Sequence, residues 1–286
     1  MNDLKKELKK FYDDEGLTDY QANRYTTGNL FANRIKDEIV DRVKRKMHNL
    51  SIYNIADIGS AEGLYLREIN NKKGISLCLD LSYPKLKRAL QRIQEYEKTF
   101  FVTADVEYLP IKRGLFNGVI CSEVLEHVPD PERAIKEIGD IITKNGTLFL
   151  SIPTGKDRFV PIEISNESDY MTESGHLHEF SKQDIKRILE KNGFYVQTVI
   201  TVDVFGEVRG WLNQFLRKII GGRKSKSKKC GTKSENLLES PKSISLKKVL
   251  KSLYIKLWGY MDIFFSKLPL FKKKGHFAVF IATKVS

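Results

Sequence analysis

Apolar residues follow two different periods along this chain, and the alternation between them lays out a fold. From Asn29 to Leu50 the apolar positions Leu30, Phe31, Ile35, Ile39, Val40, Val43 and Met47 recur at helical spacing. Short continuous apolar runs follow: YNIADIG, ISLCLDLS, TFFVTAD, NGVICSEVLEHV running into a loop, and TLFLSIP. Such runs read as strands buried on both faces. Helices are predicted between them over Leu64 to Asn70, Pro84 to Glu97 and the acid-rich PDPERAIKEIGDII. The last carries a proline in its first turn and is expected to close on Lys144-Asn145-Gly146 as a C-cap. A turn at LPIKRGLFN separates the third and fourth strands. After a polar loop, Ser181 reads as the N-cap of a further helix with Asp184 at its third position, ahead of the strand FYVQTVITVDVF. Repeated βα units of this kind imply a parallel sheet between helices, with right-handed crossovers.

The pattern changes after residue 208. RGWLNQFLRKII reads as a short amphipathic helix, and GGRKSKSKKCGTKSENLLESPKS is low-complexity and basic. Leu246, Val249, Leu250, Leu253, Leu257, Met261, Phe264 and Leu268 then trace one helix face that Pro269 ends. HFAVFIATK closes the chain as a strand returning to the sheet, either at an antiparallel edge or inserted. The expected class is therefore α/β: a Rossmann-like, seven-stranded, mostly parallel sheet with helices on both faces, plus a basic helical insertion before the last strand. The expected divisions are an N-terminal helical segment (1–50), a core (51–208), the basic insertion (209–274, with a mobile linker over 221–243) and the final strand (275–286).

Charge sharpens this division. The chain of 286 residues carries a net charge of +13, yet residues 209–286 hold 19 Lys and Arg against 3 Asp and Glu, leaving 30 against 33 for the rest. An apolar fraction of 41% and a charged fraction of 30% fit a folded chain rather than a disordered one. Cys78, Cys121 and Cys230 lack metal-ligand spacing and read as reduced thiols, two of them small buried hydrophobes. MNDLKKELKKFYDDEG lacks the apolar core of a signal sequence, so a cytoplasmic protein is expected.

Candidate chemistry sits at successive strand ends. Asp57-Ile58-Gly59-Ser60-Ala61-Glu62-Gly63 has the spacing D-x-G-x-A-x-G, in which Gly59 and Gly63 let the backbone approach a ligand. That turn alone suits a dinucleotide, a mononucleotide, another adenosine cofactor or nothing. Asp80, 21 positions beyond Gly59, can accept both hydroxyls of a ribose, which specifies an adenosine without saying which cofactor. Asp105, with Val106 and Leu109-Pro110, can accept an adenine amino group while apolar side chains pack the ring.

In this order, DIGSAEG, LDLS, TADVEYLP, FNGVICSEVLEHVPDPERAIKEIGDIITKNGTLFLSIP and HLHEFSKQDIKRILEKNGF resemble the class I S-adenosylmethionine-dependent methyltransferases. The branch matched is the one that includes the ubiquinone and menaquinone methyltransferases and many enzymes of sugars and lipids. The likeness covers residues 30 to 205 and leaves out the basic tail. It implies S-adenosylmethionine as cofactor. Gly59, Ala61 and Gly63 would face its methionine part, and Asp57 would steady their loop. Asp80 with Leu81 would hold the ribose, Asp105 with Val106 the adenine, and Ser122 and Glu123 would line the methyl-transfer pocket. Two positions depart from the family: Ala61 stands where glycine is usual, and Asn117 where aspartate often precedes the fourth strand. Glu123, Glu126 and His127 stand at the E-x-x-E-H spacing with which similar quinone O-methyltransferases can hold a divalent ion; the expectation here is no metal.

Methyl transfer needs alignment of the acceptor and, for a hydroxyl acceptor, a base. The histidines at hand are His127 in SEVLEHV and His176 and His178 in SGHLHEF; His127 and His178 are the candidates carried forward. The helix from Leu246 to Leu268 would measure about 35 Å, but Lys251, Lys256, Asp262 and Lys267 argue against a membrane span. Trp258, Phe264 and Phe265 flanked by lysines instead suit an interfacial helix, or a lid over the acceptor pocket. The expectation is O-methylation of a lipid, quinone-like or lipid-linked glycan acceptor by a cytoplasmic enzyme, peripheral on the inner face of a membrane. RNA methylation through the basic tail, or a non-catalytic cofactor-binding protein with a recruiting tail, are the alternatives. Nucleic acid is the less favoured partner, and oligomeric state is left open.

Overall fold

A computed structural model describes residues 3–13, 30–51, 53–93, 98–157, 175–202, 260–261, 264–265, 268 and 275–285. Two helices come first, α1 (Asp3–Asp13) and α2 (Leu30–His48). The alternating core follows: β1 (Ile55–Ile58), α3 (Leu64–Ile69), β2 (Ser76–Asp80), α4 (Tyr83–Arg92), β3 (Thr99–Thr103), β4 (Phe116–Ser122), α5 (Pro131–Ile141), β5 (Ile142–Pro153), α6 (Lys182–Lys191), β6 (Phe194–Val202) and β7 (Phe277–Lys284).

The seven strands lie in the order β3-β2-β1-β4-β5-β7-β6. β1 to β5 are parallel, and β7 runs antiparallel to both β5 and β6. Strand side chains alternate between faces, so Val119, Cys121, Leu148 and Leu150 enter the core layer beneath α5 and α6, while Ile120 and Phe149 enter the layer shared with α2, α3 and α4. Cys78 and Cys121 are buried in these layers as expected. Strand order reverses between β1 and β4, and an open α/β sheet leaves a ligand crevice at that point, beyond the carboxyl ends of the strands.

Most predicted elements are present, with two differences. The sequence Lys144-Asn145-Gly146 does not cap α5: the helix stops at Ile141, and Asn145 adopts φ 63° in the irregular start of β5. A direct helix-to-strand passage there leaves no room for a capping turn. The last strand takes the second of its two expected placements, inserted between β5 and β6, which buries the alternate residues of its apolar run on both faces. Helix α1 was not read from the sequence pattern. The predicted helix over 209–220, the basic linker and most of the helix over 246–268 lie outside the described residues; Tyr260, Met261, Phe264 and Phe265 within it are helical. Among the described residues no helix is long and apolar enough to cross a membrane.

Candidate active site

The turn after β1 is built by backbone bonds before any ligand is considered. Gly59 and Ser60 donate their N–H groups to Leu79 O at 2.8 and 2.9 Å, and Gly63 donates to Ser60 O at 2.8 Å. Gly59 takes φ 71°, and an added Cβ would stand 2.3 Å from Val124 Cγ2, so only glycine fits against the loop after β4. Ala61 takes φ 45° without being glycine. Its N–H donates to Asp80 Oδ2 at 2.8 Å, while Ser82 N–H donates to Asp80 Oδ1 at 2.8 Å. Asp80 is thereby fixed at the crevice with lone pairs left on both oxygens.

A cavity of about 230 Å³ opens over this turn and is lined by Gly59, Ala61, Asp80, Leu81, Asp105, Val106, Ser122, Glu123 and His127 among others. Eight of the ten expected cofactor residues therefore converge on one cavity. Gly63 and Asp57 do not line it. Gly63 is a packing residue, since a Cβ there would meet Ile93 Cδ1 at 2.5 Å. Asp57 lies under the turn, 1% exposed, with Oδ2 making no hydrogen bond among the described residues. Burial raises its pKa well above the usual carboxylate range, and the charge of Asp80 adds to this. Burial also raises the pKa of Asp80, against the opposing pull of the Lys85 ammonium and the two backbone N–H donors.

Helix α1 forms a further wall. Lys5, Leu8 and Tyr12, spaced to share one helix face, all line the cavity. Lys5 Nζ donates to Asp105 Oδ2 at 2.5 Å and pairs with Glu107, and Asp13 Oδ1 accepts from Ser82 Oγ at 2.5 Å. Burial works against the charge on Lys5, but the two carboxylates outweigh it and raise its pKa. The Lys85 ammonium lies 4.7 Å from the centre of the Tyr12 ring, and burial lowers its pKa. The signal for α1 was present as Leu4, Leu8, Phe11 and Tyr12 at helical spacing, but a single short helix rich in lysine is indistinguishable from a solvated one until its docking site is known.

At the other end of the cavity β4 turns sharply. Glu123 adopts φ 55° and donates its N–H to Ser151 O at 2.9 Å. A left-handed non-glycine residue at such a turn is strained, by about 1–3 kcal/mol, and the turn directs the loop after β4 across the cavity. Tyr65 OH and Ser122 Oγ lie 2.8 Å apart, and Ser122 Oγ and Ser151 Oγ 2.6 Å apart, which ties α3, β4 and β5 together at the cavity floor.

The candidate histidines part ways here. His127 lines the cavity with Nδ1 3.0 Å from Gly175 O, so Nδ1 carries the proton and Nε2 keeps its lone pair. Burial lowers its pKa, which keeps the ring neutral. Glu126 Oε1 stands 3.8 Å from His127 Nε2, close enough to stabilise an imidazolium. His178 is placed differently from expectation: it is absent from the cavity lining, with Nε2 3.0 Å from Val128 O and 3.3 Å from Pro129 O. Its ring is used as a brace because the segment carrying it is pinned by Leu177 and His178 N–H groups to Glu126 O. His176 instead stacks edge-on with His127 at 4.8 Å. Glu126, His127 and His176 offer ligand atoms within 4.8 Å of one another, whereas Glu123 of the E-x-x-E-H spacing is not in that group.

The cavity fits an adenosyl sulfonium. Asp80, Asp105 and Glu123 line it beyond β2, β3 and β4, where their carboxylates can accept hydrogen bonds from ribose hydroxyls, an adenine amino group and an ammonium, beside the cations Lys5, Arg67, Lys85 and Arg92. Asp57 Oδ2 is a buried oxygen without a hydrogen bond among the described residues, and a cationic ligand above the turn would favour the ionised carboxylate that burial disfavours.

Comparison with known proteins agrees. A methyltransferase domain family model matches residues 27–199. An uncharacterised protein of Methanocaldococcus jannaschii is 25% identical over 197 residues, covering 69% of this chain and 83% of that protein. Ubiquinone biosynthesis O-methyltransferase of Coxiella burnetii is 29% identical over 99 residues, 34% of this chain and 42% of that enzyme, so the match spans under half of that relative. Among solved structures, Haemonchus contortus phosphoethanolamine N-methyltransferase 2 in complex with S-adenosyl-L-methionine shares the fold, with a TM-score of 0.55 and 15% identity over 87% of this chain and 53% of that one. The chain belongs to the methyltransferase-domain family, and it is a class I S-adenosylmethionine-dependent methyltransferase.

Proposed function

We propose that this enzyme methylates a hydroxyl of a lipid, quinone-like or lipid-linked glycan acceptor, with His127 as general base. The observation that carries the reading is the state of His127: an imidazole neutral by burial, held as the Nδ1–H tautomer by Gly175 O, in the lining of the cavity that also holds Ser122 and Glu123. When bound, S-adenosylmethionine supplies an electrophilic methyl group on a sulfonium, so the protein's task is positioning and proton removal.

Asp80 would hold the ribose hydroxyls and Asp105 the adenine amino group, leaving the methyl end toward Ser122, Glu123 and His127. His127 Nε2 would take the proton of the acceptor hydroxyl as that oxygen is methylated, the cofactor supplying the methyl group and leaving as a neutral thioether. Positive charge thus passes to the imidazole, where the Glu126 carboxylate 3.8 Å away stabilises it. The basic insertion, residues 209–274, supports action at an anionic membrane surface, as does the similarity to a ubiquinone biosynthesis enzyme. The test is methyl transfer from labelled cofactor to fractionated lipids, glycans and RNA. Label in the lipid or glycan fraction supports the reading, and label confined to RNA overturns it.

A further inference from the structure

A second cavity lies at the opposite edge of the sheet, where β1, β4 and β5 begin, with a volume of about 630 Å³. Its charged lining is all of one sign. Arg42, Arg45 and Lys46 of the last turns of α2 form one wall, Lys144 forms another, and no aspartate or glutamate lines it among the described residues. Arg42 is bonded to Glu38 at 2.6 Å, but Arg45, Lys46 and Lys144 have no acidic partner among the described residues. Like charges gathered in this way repel one another, and an anion offsets that cost.

Between these cations the lining is neutral, with Asn49, Thr143, Asn145 and Thr147 offering amide and hydroxyl groups. Asn117 in that lining is held by Asn54, whose N–H donates to its Oδ1 at 2.8 Å.

We propose that this cavity is a binding site for a phosphate-bearing anion, separate from the methyl-transfer site. Cations on two walls with neutral amide and hydroxyl groups between them suit the several oxygens of a tetrahedral phosphate better than a planar carboxylate. A soluble organic phosphate and a phospholipid headgroup share that chemistry. The site lies across the sheet from Asp80 and His127, so occupancy is independent of the cofactor and of the acceptor assignment.

The experiment uses the whole chain with inorganic pyrophosphate, and in parallel with phosphatidylcholine vesicles with and without phosphatidylglycerol. The variants are R45E/K46E and, away from the helix, K144E, each checked for S-adenosylhomocysteine affinity equal to the wild type's. Both should weaken pyrophosphate binding by about tenfold or more, as expected for lost charge-assisted contacts, with acetate failing to compete. Pyrophosphate binding lost in the variants assigns a soluble phosphate; vesicle binding lost in them without pyrophosphate binding assigns the headgroup. Binding to neither probe, or binding unchanged by the reversals and therefore due to the basic C-terminal quarter, overturns the proposal.

Discussion

The N–H of Ala61 donates to the carboxylate of Asp80 across 2.8 Å, so the turn after β1 and the acid after β2 form one unit. The two positions singled out for different reasons, a missing glycine and a ribose-binding acid, depend on each other. Asp80→Ala removes the hydrogen-bond acceptor of both Ala61 and Ser82 and should weaken S-adenosylhomocysteine binding by about 10–100-fold, equal to roughly 1.4–2.8 kcal/mol. Calorimetry reads the affinity and circular dichroism the fold. Unchanged affinity in a folded variant removes Asp80 from the ribose site.

Ala61 itself carries a cost, because φ 45° disfavours any residue with a Cβ by about 1 kcal/mol. Ala61→Gly should therefore leave the melting temperature unchanged or raise it slightly, the relief being offset by the greater freedom of glycine in the unfolded chain. A drop of several degrees would mean that the alanine methyl makes a contact the turn relies on.

His127 sets the expected pH dependence. Its pKa is lowered by burial, so the ring stays neutral through neutral pH and methyl transfer should fall only in acid, below the ordinary histidine range. The stability effect has the same direction: the unfolded chain binds the proton more readily, so stability falls as pH drops below about 6.5. His127→Gln should slow transfer by about 10²–10⁴-fold and abolish the acid limb. His178→Gln should retain that limb, since its ring braces Val128 and Pro129. A limb that disappears with His178 instead reverses the two assignments.

Lys5 joins α1 to the cavity through Asp105 and Glu107. Lys5→Met keeps the apolar stem but leaves two carboxylates side by side, one of them almost wholly buried, and should destabilise the fold by about 1–3 kcal/mol, less than a fully buried pair because Asp105 is partly exposed. Urea unfolding measures the loss. Tryptic cleavage at Lys9 and Lys10 should accelerate in the variant; an unchanged rate would mean that other contacts hold α1.

Gly63 separates packing from binding. Gly63→Ala forces a Cβ to within 2.5 Å of Ile93 at φ 71°, so a loss of about 1–3 kcal/mol in stability is expected. Cofactor affinity measured well below the melting temperature should fall less than for Asp80→Ala. A larger fall in affinity than in stability would return Gly63 to the ligand-facing set.

The periods of the apolar positions, with the glycine turn and the carboxylates at successive strand ends, determined the alternating core, its fold class and the cavity residues Gly59, Asp80, Asp105 and Val106, while the resemblance to a known family supplied Ala61, Leu81, Ser122 and Glu123. Those signals are local, since a buried parallel strand and the residue that ends it lie together in the chain. Tertiary structure decided what depended on distant partners. It inserted β7 between β5 and β6, spent Gly63 on Ile93 and His178 on two backbone carbonyls, and brought α1 onto Asp105, 100 residues away in sequence. Lys144-Asn145-Gly146 has the composition of a helix cap, but packing carried α5 directly into β5. Composition states what a residue can do, whereas the neighbour that claims its one lone pair, or fills its one open side, is set only when the chain has folded.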